Sequence, residues 1–141
     1  MTRIDFYITQ DVQNAARQAL ACRIAEKAYK LGHQIYIHTE SAEQTQLMDD
    51  LLWTFHDGSF VPHQPAGSHS ENPVPVLIGH HKEIDHEADV LINLAQDIPG
   101  FFSRFERVAE LVNEDPEHKT RARDRYKFYR DRGYELKTHK L

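Results

Sequence analysis

Apolar and polar residues alternate at the start of the chain and then change to a helical period. Ile4, Phe6 and Ile8 are separated by more polar residues, which is the two-residue period of a strand with one buried side. Over residues 11–31 the apolar positions recur about every four residues, as in an amphipathic helix that opens at Asp11. Gly32 follows and is placed to end the helix. The opening of the chain therefore predicts a strand and then a long helix.

The alternation of short strands and helices continues through the middle of the chain. Residues 33–39 predict a second strand, and residues 41–55 predict a second helix with a serine cap. Residues 56–73 are rich in Gly, Pro, Ser and His and predict a long irregular loop. Two short apolar runs, over 74–79 and 90–94, are suited to strands buried on both faces.

The last third of the chain contains one ambiguous stretch and one clear helix. Residues 101–112 could open with a short helix at their two phenylalanines or form a strand over 107–112, and we favour the strand. From about 115 to 132 the pattern is helical, with an aspartate cap before Pro116 and with Gly133 beyond its end.

This order of elements predicts a single α/β domain over residues 1–141. Alternating strands and helices favour three layers, in which a mostly parallel central sheet is flanked by helices. Folds of this kind often hold nucleotide phosphates in a glycine-rich first turn, but the turn here reads Thr-Gln-Asp-Val-Gln. We therefore expect a fold akin to nucleotide-binding domains but without a phosphate loop.

Composition excludes several classes of function. Cys22 is the only cysteine, which excludes a disulfide within the chain. The chain has no apolar run of the roughly 20 residues that span a bilayer and no signal-like start, so we expect a cytoplasmic protein without membrane contact. Nothing assembles an acid, a base and a nucleophile, so we expect no enzyme and no cofactor. A zinc or nickel site on the central histidines stays open as an alternative, although their spacing fits no familiar motif. These are His56, His63, His69, His80, His81 and His86.

Charge is distributed unevenly along the chain. The formal net charge is −5, but residues 117–141 contain nine Lys and Arg against four Asp and Glu, a net +5. Residues 1–116 therefore carry −10. This division predicts a local basic site on an acidic body, and a body of that charge argues against general coating of nucleic acid.

The basic residues of the last predicted helix are spaced to lie on one face. Lys119, Arg123, Lys127 and Arg130 are separated by four, four and three positions, which places them in one stripe. Tyr126 lies beside the stripe, so charges and a ring could together hold a short acidic peptide with an apolar end. Two alternatives remain: a solvated basic helix end, and single-stranded nucleic acid bound by stacking.

A second cluster combines aromatic and apolar residues around the predicted loop. The segment Leu-Leu-Trp-Thr-Phe over 51–55 is followed by Ser-Phe-Val-Pro-His over 59–63. Capping of the core is the simpler interpretation. If Trp53 and Phe60 are exposed together, however, they form an aromatic pair typical of an interface hot spot.

These two clusters make the chain resemble the chi subunit of bacterial DNA polymerase III holoenzyme. The resemblance covers nearly the whole chain and rests most on R-x-R-Y-K-x-Y-R-x-x-G-Y-x-L near the end. Weaker matches are D-F-Y-I, A-C-R-I-A-E-K-A-Y-K-L-G-H-Q-I-Y-I, and L-L-W with S-F-V-P-H. Residues 64–72 and 80–86 show no family pattern.

The resemblance implies an adaptor without catalysis that bridges two partners. One partner is the acidic C-terminal tail of the single-stranded DNA-binding protein, and the other is the psi subunit, which ties chi to the clamp loader. Direct DNA binding is not expected. The implied tail site comprises Lys119, Arg123, Tyr126, Lys127 and Arg130. The implied psi surface comprises Trp53, Phe60, Val61 and Pro62.

Overall fold

A single sheet of seven parallel strands organises the chain. The structure, a computed structural model, describes residues 2–55, 61–67, 74–82, 84 and 88–141. The strands are β1 (Arg3–Ile8), β2 (Ile35–His38), β3 (His63–Pro65), β4 (Val76–Gly79), β5 (Val90–Asn93), β6 (Arg107–Val112) and β7 (Glu135–Lys140). The helices are α1 (Asn14–Lys30), α2 (Ala42–Thr54) and α3 (Pro116–Asp131), with a 3₁₀ turn over Phe102–Arg104. The strand order is β3-β4-β2-β5-β6-β1-β7, and every pairing is parallel.

Two apolar clusters, one on each face of the sheet, form the core. On one face α1 and α2 bury residues such as Leu20 and Met48 against Ile37 of β2. On the other face α3 and the 3₁₀ turn bury Tyr129 and Phe102 with residues of β1, β5 and β6. The α/β prediction of a parallel sheet between two helical layers is confirmed. That residues 1–141 form one domain stays a prediction.

Local signals in the sequence end and begin most of the helices where we predicted. The side chains of Ser41 and Asp115 each accept an N–H from the residue three positions later, which caps α2 and α3. Pro116 opens α3, where its missing N–H costs nothing. Gly32 and Gly133 follow α1 and α3 with φ of 88° and 81°, a conformation that other residues rarely adopt.

Three elements differ from the prediction. α1 begins at Asn14 instead of Asp11, whose carboxylate accepts the Gln13 N–H in a turn before the helix. The predicted loop contains β3, a strand of only three residues. β7 was not predicted, because its charged and polar residues lie at the sheet edge and lack a strong apolar alternation. The preferred strand over 107–112 is confirmed.

A buried carboxylate ties α3 to the sheet. Glu110 of β6 is completely buried and accepts hydrogen bonds from Arg125 Nε at 3.0 Å and Tyr129 Oη at 2.7 Å. The amide of Asn93 on β5 donates to the same carboxylate. Arg125 also donates from Nη1 to the carbonyl of Gln96 at 2.9 Å. Two strands and one helix are therefore joined through a single carboxyl group.

Two histidines are packed where a positive charge is unfavourable. His38 of β2 is buried edge-on against the ring of Phe101, at a centroid distance of 5.4 Å. Burial, and secondarily the nearby His80, lowers the pKa of His38 to about 4. Burial, followed by the charge of Arg17, likewise lowers the pKa of His118 to about 4. Both side chains are therefore neutral in the folded chain near pH 7.

We predict that Glu110→Gln lowers the free energy of unfolding by about 3 kcal/mol, because it leaves the buried Arg125 guanidinium without its counter-charge. Urea denaturation at pH 7.5 measures the change. The matched control Glu117→Gln neutralises an exposed carboxylate on α3 and should cost less than about 0.5 kcal/mol. A loss below about 1 kcal/mol for Glu110→Gln would show that the pair does not anchor α3.

We predict that the chain loses stability on mild acidification. Because the pKa of His38 is lower in the folded state than the unfolded value of 6.5, its contribution is full above pH 6.5 and falls towards pH 4. Between pH 7.5 and 5 this amounts to about 2 kcal/mol for His38 alone. Denaturation across that range should show a shallower pH dependence in His38→Leu than in the unsubstituted chain, and an unchanged slope would contradict the prediction.

Candidate functional site

The basic ledge, our name for Lys119, Arg123, Tyr126, Lys127 and Arg130, lies on the outer side of α3. The buried side of the helix comprises Ala122, Arg125 and Tyr129, spaced three and four residues apart. This spacing fixes the rotation of α3 about its axis, so that the stripe predicted from the sequence points to solvent. Arg123, Lys127 and Arg130 are exposed, and Lys119 is partly exposed.

The four cations of the ledge are not equivalent. Lys119 forms an ion pair with Glu114 at 2.7 Å, and Arg130 pairs with Asp131 at 3.2 Å. Arg123 and Lys127, in the middle, form no ion pair with any residue that the structure describes. The Arg130 pair is exposed and the Lys119 pair is partly exposed, so each contributes only about 0–1 kcal/mol. An incoming carboxylate could therefore replace Glu114 or Asp131 at small cost.

Tyr126 is held at a fixed place beside the cations. Its side chain is 36% exposed, and its ring lies edge-to-face on Phe6 of β1 at a centroid distance of 5.3 Å. Phe6 is paired in register with Thr138 of β7. Tyr126 therefore lies where α3 meets the edge of the sheet. One part of its ring packs on the core, and the remainder can cover an apolar group of a ligand.

The edge strand adds a basic residue to this surface that the sequence did not predict. Ile8 of β1, which packs on the α3 side of the sheet, is paired in register with Lys140 of β7. Because side chains at paired positions of neighbouring strands share a face, Lys140 lies on the side that α3 covers. Lys140 is exposed. A faint two-residue alternation in β7 was the only sequence signal for it.

Trp53 forms a second exposed aromatic position, on α2. Its side chain is 53% exposed, and its ring packs on His63 of β3 at a centroid distance of 4.7 Å. His63 is buried, and its two ring nitrogens lie 2.6 Å and 2.8 Å from the carbonyls of Val61 and Asp49. His63 therefore joins β3 to α2 and packs against the buried side of the Trp53 ring.

The other predicted psi residues fall in three different situations. Val61 is 1% exposed and packs in the core with α1 and α2, so its side chain does not line the surface that we expected it to share with Trp53. The expected exposure of Val61 is therefore corrected, because its apolar side chain is buried in that cluster and not placed in water. Pro62 is partly exposed beside it. Phe60 lies outside the described residues.

The crevice where related folds bind nucleotides is bridged by a buried arginine. Arg17 of α1 lies at the carboxyl ends of the strands, where ligands of α/β sheets are usually held. Its Nε donates to the carbonyl of Leu111 at 3.1 Å, and its Nη2 donates to that of Leu94 at 3.2 Å. Burial lowers the pKa of Arg17 to about 10. The guanidinium is thus occupied by the protein's own backbone.

In the part of the chain that the structure describes, neither a cluster of metal ligands nor a membrane-spanning helix is present. Within those residues no three metal-binding side chains converge on one point. Three of the central histidines, His56, His69 and His86, lie outside them. Among the described helices, none has both the length and the apolar character needed to cross a bilayer.

Comparison with known proteins finds relatives that match nearly the whole chain. The family model described as "DNA polymerase III chi subunit, HolC" matches residues 1–137. A DNA polymerase III subunit chi of Pseudomonas aeruginosa is 43% identical over 141 residues, covering 100% of this chain and 98% of the relative. The subunit chi of Haemophilus influenzae is 34% identical, covering 94% of this chain and 93% of the relative. That of Escherichia coli is 33% identical, covering 98% and 97%. The chain therefore belongs to the family of DNA polymerase III chi subunits, which are accessory subunits of DNA replication.

Proposed function

We propose that this chain is a non-catalytic cytoplasmic adaptor that bridges two partners at the replication fork. The basic ledge binds the acidic C-terminal tail of the single-stranded DNA-binding protein. The surface around Trp53 and Pro62 binds the psi subunit, and through psi the clamp loader. The proposal depends on one observation: Arg123 and Lys127 are exposed beside Tyr126 and form no ion pair with a described residue.

The chemistry of an acidic tail that ends in an apolar residue fits the ledge in two ways. Carboxylates of the tail pair with Arg123 and Lys127, which have no described acidic partner to give up. The final apolar side chain packs against the exposed part of Tyr126, whose ring is already held by Phe6. Because exposed ion pairs are weak and screened by salt, we expect micromolar and salt-sensitive binding.

Direct binding of single-stranded nucleic acid is the second candidate for the same surface. Tyr126 could stack on a base, and Lys140 on the edge strand would add a phosphate contact. However, residues 1–116 carry −10, a charge that repels a polyanion at longer range. The ledge also offers one ring, whereas strand-binding surfaces stack successive bases on several.

The two proposed partner surfaces lie far apart in the fold. The ledge is on α3, which packs on the face of the sheet next to β1 and β7. Trp53 is on α2, which packs on the opposite face next to β3 and β4, at the other end of the strand order. Both partners can therefore be held at once, as an adaptor requires.

We predict that Arg123→Ala and Lys127→Ala each weaken binding of a synthetic tail peptide at least fivefold, because each removes one unpaired cation. Calorimetric titration at two salt concentrations measures the affinity. Arg121→Ala is the matched control, since Arg121 is on α3 but pairs with Glu117 and lines cavities away from the ledge. Unchanged peptide affinity in both variants would refute the assignment. Oligothymidine that binds the isolated chain with a steep salt slope, and loses binding in these variants, would favour the second candidate instead.

We predict that Trp53→Ala weakens binding of the psi subunit by about 30-fold, the effect of losing an aromatic hot spot of about 2 kcal/mol. Leu47→Ala, which truncates another exposed apolar residue of α2, should have less than a threefold effect. Surface plasmon resonance with immobilised psi compares the variants, and tail-peptide binding should be equal in all three proteins. Retained psi affinity in Trp53→Ala would remove this face from the proposal.

A further inference from the structure

The helices leave one edge of the sheet uncovered on the side opposite α3. On that side α2 packs on β3 and β4, and α1 packs on β2, β5 and β6. Among the described elements no helix packs closely on this face of β1 and β7, the outermost pair at this edge. A groove of about 290 Å³ opens between α1 and the neighbouring strands β1 and β6. Its lining residues belong neither to the basic ledge nor to the Trp53 surface.

The floor of the groove holds the carboxylate of Asp5, which is surrounded by basic side chains. The side chain of Asp5 is 2% exposed and lies 3.3 Å from Arg3, 3.1 Å from Arg107 and 2.9 Å from His139. Burial alone would raise the pKa of Asp5, but hydrogen bonds from His139 and Arg107 and the arginine charges outweigh burial and lower it. Asp5 is therefore ionised, and its carboxylate oxygens are already paired with these side chains. Of the two arginines around this carboxylate, Arg107 also lines the groove.

Two further cations stand at the rim. Arg23 and Lys27 are exposed on α1, one helical turn apart, and both line the groove. Neither forms an ion pair with a described residue. Arg107, whose side chain is 40% exposed, faces the groove from β6. The cations on its two sides belong to the 1–116 segment, which carries −10 in total, so this groove is a local exception to an acidic body.

Apolar side chains are exposed beside these charges. Leu31 is 67% exposed and Leu141 is 55% exposed, and both line the groove with the half-buried Ile24. They account for two of the six large apolar residues that the structure describes as exposed. Exposed leucine side chains gain the free energy of burial only when a partner covers them. The Tyr7 ring is already stacked on His139 at 4.6 Å, so it is not available to stack on a base.

We propose that this groove binds a short acidic segment of a protein partner, in which carboxylates alternate with leucine-like side chains. The carboxylates pair with Arg23 and Lys27 along one wall and with Arg107 along the other. The apolar side chains cover Leu31, Leu141 and Ile24. In an extended segment, residues two positions apart are about 6.6 Å apart, which is close to the one-turn spacing of Arg23 and Lys27 on α1. Carboxylates at alternate positions of the segment therefore match the spacing of these two cations. The groove and the basic ledge lie on opposite faces of the same sheet edge, so both can be occupied together.

The test is a titration of the ¹⁵N-labelled full chain with an acetylated, amidated pentapeptide, aspartate-leucine-aspartate-leucine-aspartate. We expect salt-sensitive amide shifts at Ala28, Leu31 and Val108, with a dissociation constant in the micromolar to low millimolar range. Arg23→Glu and Lys27→Glu should each weaken binding at least fivefold. Lys82→Glu is the matched control, because this exposed lysine follows β4 at the other end of the sheet and its reversal changes the net charge equally.

A second peptide and a second variant separate this groove from the ledge. The same peptide with asparagine in place of aspartate should bind at least tenfold more weakly. Lys127→Ala should leave binding of the acidic pentapeptide unchanged, and Arg23→Glu should leave binding of the single-stranded DNA-binding protein tail unchanged. Shifts confined to α3, loss of binding in Lys127→Ala, or equal binding in Arg23→Glu and the wild-type chain would each overturn the proposal, whatever the outcome for the tail.

Discussion

The position of α3 depends on one buried carboxylate, and the proposed tail site depends on α3. Glu110 accepts hydrogen bonds from Arg125 and Tyr129 on the helix and from Asn93 on β5. Both helical donors reach the same carboxylate, which constrains the rotation and height of α3. A buried ion pair is not needed for stability, since apolar side chains often replace one without loss. Here its geometric effect is specific: it fixes which side of α3 carries charge into solvent.

The same sheet edge carries cationic surface on both faces, for different reasons. On the α3 face the helix itself presents Arg123 and Lys127 above β1 and β7. On the other face no described helix covers that edge, and Asp5 gathers Arg3 and Arg107 around itself in the sheet. β7 is common to both, because its alternating residues point to opposite sides. An edge strand that is too polar to be recognised in the sequence therefore forms part of two surfaces.

Helices and strands in which apolar residues recur regularly could be predicted from the sequence, whereas short strands and strands at the sheet edge could not. α2, α3 and β1 bury one side each, so periodicity and capping residues located them closely. β3 and β7 contribute little buried surface, and their existence depends on the strands beside them. The start of α1 was misplaced because an aspartate that forms a turn and one that caps a helix look alike in sequence.

In the candidate site, too, some features could be predicted from the sequence and others could not. Helical spacing alone placed the four cations in one stripe, because that relation involves only neighbours within α3. Whether each cation is paired depends on residues elsewhere, and only the fold shows that Lys119 meets Glu114. Val61 was expected at a surface but is buried, because an apolar residue next to proline looks alike in sequence in either place. Periodicity within one element is readable from sequence, whereas contacts between elements are not.

The unequal pairing of the ledge has a consequence for selectivity. A ligand that relied only on the end cations would have to displace Glu114 from Lys119 or Asp131 from Arg130, exchanging one exposed ion pair for another with little net gain. New interactions come from the two central cations and from covering Tyr126. An acidic peptide without an apolar end therefore gains from only part of the site. An apolar peptide without acids gains from the remainder, and only a segment that combines both uses the whole ledge.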